Sequence, residues 1–290
     1  MPRQTLISKA AVSIALLVIA MLSIQSGASL AKGLFPLVGA AGTSALRLGL
    51  AAIILCLVMR PWRKRLSLRS CRSLVAFGLS LGGMNLLFYL SLQTIPLGVA
   101  VALEFAGPLT LALLSSRRLL DFLWVALAVL GLWLLLPSFG GPAQLDPLGM
   151  VMALGAGLCW AFYIVSGQKA GAEHGQQTVA LGLVVAALLV FPFGLWQAGS
   201  SLFSIELLPL ALGVAVLSSA LPYSLEMIAL TRLPARTFSI LMSMEPVIAA
   251  FAGLLILNEQ LSASQWLAIG AIMLASSGAA ATIRPQVKPA

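Results

Sequence analysis

Ten apolar runs of about twenty residues, the length a helix needs to cross the hydrocarbon of a bilayer, succeed one another along the 290-residue chain. Their cores are 10–30, 39–59, 73–93, 97–115, 119–137, 147–167, 177–196, 206–229, 235–257 and 263–283. The runs are continuous and rich in Leu, Ala and Gly rather than alternating, which predicts helices and not barrel strands. Hydrophobic residues make up 60% of the chain and charged residues 9%, with a mean hydropathy of +1.05, so a solvated globular surface is excluded. The chain reads as an all-α integral membrane protein. Its first run follows Arg3 and Lys9 and leads into small residues at 26–31, imitating a signal peptide; because that run has a counterpart later in the chain, it reads as a first membrane helix.

The net charge of +9 does not point to nucleic acid, because the basic residues follow membrane topology. With the N-terminus in the cytoplasm, 15 of the 17 Lys and Arg fall inside, leaving Lys32 outside and Arg47 within the second span. The loops after spans 3, 5, 7 and 9 carry none, so charge bias predicts ten spans with both termini cytoplasmic. The dense run RPWRKRLSLRSCR at 60–72 then reads as an orientation signal in contact with anionic membrane lipids. Cys56, Cys71 and Cys159 have neither disulfide-framework nor metal-ligand spacing, and no cofactor motif occurs. No cofactor or metal is expected.

Sliding the chain against itself matches it at a shift near 138: Pro96 falls on Pro234, Pro108 on Pro246, Ser80 on Ser218 and Asn85 on Tyr223, while Lys32 falls on Lys169 at 137. Two units follow, 1–140 and 141–290, each with five spans. An odd number of spans forces the second unit into the opposite orientation, so the expected architecture is ten transmembrane helices in two inverted five-helix repeats. Inverted repeats are the architecture of secondary transporters, with the site near the midplane where the halves meet.

An ionisable group inside a span is costly and marks a functional hypothesis. Of the eight acids, only Glu104, Glu226 and Glu245 lie within spans away from loops. At 1.5 Å per residue, Glu104 sits about 10 Å and Arg47 about 12 Å below the outer surface, and Glu245 about 15 Å from the inner one. Arg47 supplies a bidentate fork for a carboxylate and Glu an acceptor for an ammonium, an inventory that suits a zwitterionic amino acid. The alternative is that Arg47 and Glu104, similar in depth, form a fixed pair that only orients helices. Glu245, with no cation at its depth, is the candidate for proton coupling, since an uncompensated carboxylate in hydrocarbon is costly to ionise. Glu226, near the cytoplasmic end of its span, either snorkels towards Arg232 or forms a cytoplasmic gate.

Asn85, Tyr89, Trp160, Tyr163 and Tyr223 carry polar atoms at mid-span and are candidates to line a central cavity. Trp62, Trp124, Trp196 and Trp266 lie near span ends and read as interfacial belt residues. Gly78 and Gly82 form a GxxxG contact face, and Ser262-x-x-Gln265 has the spacing of a capping box. Pro108 leaves the carbonyl of Glu104 without its helical donor, and Pro246 does the same to Met242. Residues 104 and 242 are mates at the 138 shift, so two helix breaks are expected at related places.

The segments SLGGMNLLFYLSLQTIPLGVAVALEFAGP, KAGAEHG, ALPYSLEMIALTRLPARTF and LMSMEP resemble the drug/metabolite transporter superfamily, EamA type, over nearly the full chain, and within it the threonine/homoserine exporters of the bacterial inner membrane. The resemblance implies proton-coupled export of small amino acids by alternating access, with amino-acid substrate and protons as partners. It leaves open another metabolite, such as an aromatic amino acid, a cysteine derivative or a small drug, carried by an exporter or a facilitator. Monomer and homodimer are equally open. A membrane enzyme would need a metal cluster or a nucleophile with its base, which the scattered acids and single His do not offer.

Overall fold

The structure is a computed structural model that describes residues 2–63, 71–114, 119–135, 145–175, 177–232, 241–242 and 244–282, and no strand occurs among them. In chain order the α-helices are α1 (Pro2–Lys32), α2 (Phe35–Met59), α3 (Cys71–Ser91), α4 (Leu97–Glu104), α5 (Ala106–Leu114), α6 (Leu119–Leu135), α7 (Pro147–His174), α8 (Gln177–Ala198), α9 (Leu208–Ala215), α10 (Leu221–Arg232), α11 (Glu245–Leu257) and α12 (Ala263–Thr282). A π-helical turn, Val216–Ala220, joins α9 to α10. Most of the basic residues that carry the predicted topology, the Arg232 side chain and the 140/141 boundary lie outside the described residues.

Six stretches are long and apolar enough to cross a membrane: Val12–Lys32, Phe35–Met59, Cys71–Ser91, Pro147–His174, Gln177–Phe203 and Ile205–Glu226. Leu97–Leu111, Glu245–Leu257 and Ala263–Ala275 are shorter apolar helices. Large apolar side chains such as Trp196, Ile205 and Leu255 point outward, an arrangement suited to lipid and costly in water. This is an all-α, multi-pass membrane protein.

Packing follows the small residues. α3 lies against α8 so closely that a Cβ on Gly78 would stand 2.9 Å from the Gly182 carbonyl, and one on Gly82 3.1 Å from the Ala186 Cα. The GxxxG reading of the third span is therefore a helix contact in this fold. α2 packs on α8, α3 also on α7, α6 on α12, α4 on α11, and α1 on both α10 and α11.

Helix ends obey local chemistry. Asp146 accepts from Leu148 N and Gly149 N at 3.2 and 3.1 Å ahead of Pro147, capping α7. The Thr94 side chain and these two N–H groups hold its carboxyl below the usual carboxylate range. At α12, Ser262 N donates to Gln265 Oε1 at 2.8 Å and Gln265 N to Ser262 Oγ at 3.3 Å, completing the capping box. The helical path of α2 is interrupted at Gly39, with φ 71° and ψ 175°. That conformation is open to glycine alone, and the interruption lets Ala41 N donate to Gln197 Oε1 on α8 at 2.7 Å.

Gly39→Ala should therefore cost about 1–3 kcal/mol of stability, both from the left-handed backbone and because the new Cβ meets the Gln197 amide. A thermal-unfolding midpoint in detergent equal to that of the unsubstituted chain would show that the kink is not required.

Candidate functional site

The π-turn is the local event from which the site is built. Its i→i+5 bonding leaves carbonyls without their usual donors, and neighbouring helices supply them. Ser23 Oγ of α1 donates to Leu217 O at 2.6 Å, and Arg47 Nη2 of α2 donates to Ser218 O at 2.5 Å. Arg47 Nε adds a bond to Ser219 Oγ at 2.7 Å. Gly27 on α1 admits this close approach, since a Cβ there would lie 2.7 Å from Ser218 N.

Arg47 is 2% exposed and sits with its guanidinium carbon 4.9 Å from the centroid of the Tyr89 ring, a cation–π contact in a dry setting. Tyr223 Oη accepts from Arg47 Nη2 at 3.5 Å and from Asn85 Nδ2 at 3.3 Å. Its own proton has no acceptor among the described residues, and the buried Tyr89 hydroxyl and Ser44 Oγ have no hydrogen-bond partner there. Donors are thus in place around the guanidinium without being used up.

Glu245 is buried in the first turn of α11, where Pro246 needs no N–H partner. Its Oε1 accepts from Gln25 Nε2 at 3.0 Å, while Glu245 Oε2 and Gln25 Oε1 are buried without a partner among the described residues. Glu245 lies within electrostatic range of both Glu104 and Glu226, and Glu104 within range of Arg47. The fixed Arg47–Glu104 pair left open by the sequence is not made: Lys32–Glu259 is the ion pair within 4 Å among the described residues. Arg47 is held by neutral groups instead.

Helix breaks place these side chains. α4 ends at Glu104 and α5 begins at Ala106, two residues before Pro108, with Phe105 N still bonded to Val101 O at 2.9 Å. The Glu104 backbone abuts Gly157 of α7, where a Cβ would stand 3.2 Å from the Glu104 Cα. Trp160, one turn further along α7, meets Phe105 edge-on at 5.1 Å, and Tyr163 stacks on Phe77 at 4.8 Å. Tyr163 is also within range of Glu226 and Tyr223. Arg47, Asn85, Tyr89, Glu104, Tyr163, Tyr223, Glu226 and Glu245 therefore form one polar cluster, with Trp160 on its apolar flank.

Against known proteins, the model of the EamA-like transporter family matches residues 147–280. Threonine/homoserine exporter RhtA of Escherichia coli (strain K12) is 59% identical over 95% of this chain and 93% of its own, and the protein of the same name in Salmonella typhimurium (strain LT2) is 60% identical over 95% and 94%. The chain belongs to the EamA family. One solved crystal structure has the same fold at 17% identity, with a TM-score of 0.62 over 94% of this chain and 96% of its own.

In this EamA chain the sequence reading missed Gln25, Ser218 and Ser219. Gln25 had a signal, an amide in an otherwise apolar span that falls on Tyr163 at the 138 shift; Ser218 had only its match to Ser80 and Ser219 had none, because their importance comes from the π-turn. Trp124 departs from the belt reading: its indole Nε1 is buried, and its ring packs over Gly278 of α12.

Ser219→Ala should remove about 1.5–3 kcal/mol, the worth of a hydrogen bond to a charged donor, whereas Ser44→Ala, which removes an unpartnered hydroxyl, should be neutral or stabilising. Equal unfolding midpoints for the two variants would mean that the Arg47–Ser219 bond contributes nothing.

Proposed function

We propose that the chain is a secondary exporter of threonine and homoserine in the bacterial inner membrane. In this reading it has ten spans in two inverted five-helix halves divided near residue 140, cytoplasmic termini and proton-driven alternating access. The names of its relatives and their identity over almost the whole chain support the substrate. The packing supports the two-fold frame, because exchanging helices for their mates preserves it: α3 on α7 corresponds to α10 on α1, and α3 on α8 to α9 on α2, while α2–α8 and α6–α12 are mates packed on each other. Asn85 and Tyr223, mates in sequence, touch at 3.3 Å.

The observation that carries the reading is one buried guanidinium held by neutral partners, together with a buried carboxyl, Glu245, that keeps an unused oxygen. A zwitterionic amino acid presents opposite charges to both. Its carboxylate is received by Arg47 and the Tyr223 hydroxyl, and its ammonium by Glu245 Oε2 and Gln25 Oε1. Three carboxyls share one guanidinium in this cluster, so full ionisation would leave two uncompensated negative charges in hydrocarbon. Protons and substrate ammonium are then alternative ways to neutralise the same site, which is the requirement for exchange coupling.

Counterflow of labelled threonine, homoserine and an aromatic amino acid in proteoliposomes, with and without a pH gradient, tests substrate and coupling together. Glu245→Gln should abolish uptake driven by a pH gradient into inverted vesicles. Full retention of that coupling would remove Glu245 from proton transfer, and transport indifferent to the gradient in the unsubstituted chain would make it a facilitator.

A further inference from the structure

The buried side-chain atoms without a hydrogen-bond partner among the described residues are Gln25 Oε1, Glu245 Oε2, Ser44 Oγ, the Tyr89 hydroxyl and Trp124 Nε1. Trp124 belongs to the packing of α6 on α12, and the Gln25 and Glu245 oxygens receive the ammonium in the reading above. Two hydroxyls are left over. Both residues are 0% exposed, and an unpaired hydroxyl in an apolar interior is destabilising, so each calls for a partner.

A hydroxyl on a helix has an easy local remedy, which is to donate to the carbonyl four residues earlier. Ser29, Thr43, Ser218 and Ser224 all do so. Ser44, the next residue after Thr43 on the same helix, does not. It stands three residues before Arg47 and so on the same face of α2, at a Cβ separation of about 5–6 Å. The Tyr89 ring lies along this stretch of α2, its centroid 6.0 Å from that of Phe35 and 4.9 Å from the Arg47 guanidinium carbon. Asn85, one turn earlier on α3, is already spent on Leu81 O and the Tyr223 hydroxyl. Two unspent hydroxyls therefore stand beside the guanidinium, next to the rings of Phe35 and Phe88.

We propose that Ser44 Oγ and the Tyr89 hydroxyl receive the side-chain hydroxyl of the transported amino acid, and so select hydroxylated substrates over apolar ones of the same shape. The proposal rests on the exporter reading, in which Arg47 receives the substrate carboxylate. Threonine carries its side-chain oxygen on the carbon next to the α-carbon, and homoserine carries it one carbon further on. Either hydroxyl stays close to the guanidinium once the carboxylate is bound there. Substrate and protein hydroxyls each donate and accept, so the substrate can be matched in both senses. An apolar isostere would leave both protein groups unpaired, and a site built around a hydroxyl rejects such a ligand far more strongly than an apolar pocket rejects an added hydroxyl.

Counterflow in proteoliposomes of the full chain tests this with two isosteric pairs: threonine against valine, and homoserine against norvaline. The unsubstituted chain should favour the hydroxylated member of each pair roughly tenfold or more. Tyr89→Phe, which keeps a ring over Arg47, and Ser44→Ala should each shrink that preference, and the double variant should bring it close to one. The loss should come from a higher half-saturating concentration for threonine and homoserine, not for valine and norvaline. A preference that survives both substitutions, or an equal loss for both members of a pair, would overturn the proposal. Each variant removes an unpartnered hydroxyl and should fold at least as well as the unsubstituted chain; should Tyr89→Phe fail to fold, Ser44→Ala alone decides. If the unsubstituted chain moves threonine and valine alike, the hydroxyl site fails while the amino-acid exporter stands. If it moves none of the four, the exporter reading fails and takes the hydroxyl site with it.

Discussion

The guanidinium of Arg47 is the constraint around which the core is arranged. Moving an isolated charge of this size out of water costs several kcal/mol even after relaxation, and the structure answers with a serine hydroxyl, a freed backbone carbonyl, a phenol and an aromatic face. None of these carries a formal charge. A carboxylate at contact distance would have cancelled the positive charge and spent the fork on a fixed partner; neutral acceptors solvate the ion and leave its field in place. The same residues join elements far apart in the chain, since Arg47 lies in α2, Ser218 and Ser219 in the π-turn and Tyr223 in α10.

Irregular backbone concentrates around that ion. The π-turn exposes the carbonyls used by Ser23 and Arg47, the Gly39 interruption reorients α2 eight residues before Arg47, and α4 gives way to α5 immediately after Glu104. α11 starts on Glu245 itself. In hydrocarbon such departures are tolerated only where protein or a water-filled path satisfies the freed groups, so their clustering and the clustering of charge are one phenomenon.

How much of this the sequence disclosed depends on the range of the interaction. Features set by neighbours along one helix were legible: the apolar runs, the GxxxG face at Gly78 and Gly82, the Ser262–Gln265 capping box and the polar residues stranded at mid-span. The division of the predicted fourth and eighth spans into shorter helices was only half legible, because Pro108 announces one break while nothing local announces a π-turn at Val216–Ala220. Contacts between distant helices were not legible at all. Glu259, one of the acids left outside the predicted spans, holds Lys32 and Leu97 N, and Trp124 looked interfacial until α12 brought Gly278 beneath its ring.

The polar cluster does not follow the self-match of the sequence. At the 138 shift Arg47 falls on Val185, Glu104 on Met242 and Glu245 on Gly107, so each charge has an apolar or empty mate. An asymmetric site can bind with different affinity from the two sides, but asymmetry in affinity cannot by itself produce net movement. Linkage requires that a cycle with no gradient end at equal substrate activity on both sides, whatever the rates or contacts in each state. Net export against a substrate gradient therefore needs a second species bound in one state and released in the other. In the proton-coupled reading proposed above, the carboxyls that outnumber the single guanidinium are the groups in the cluster that would bind and release such a species.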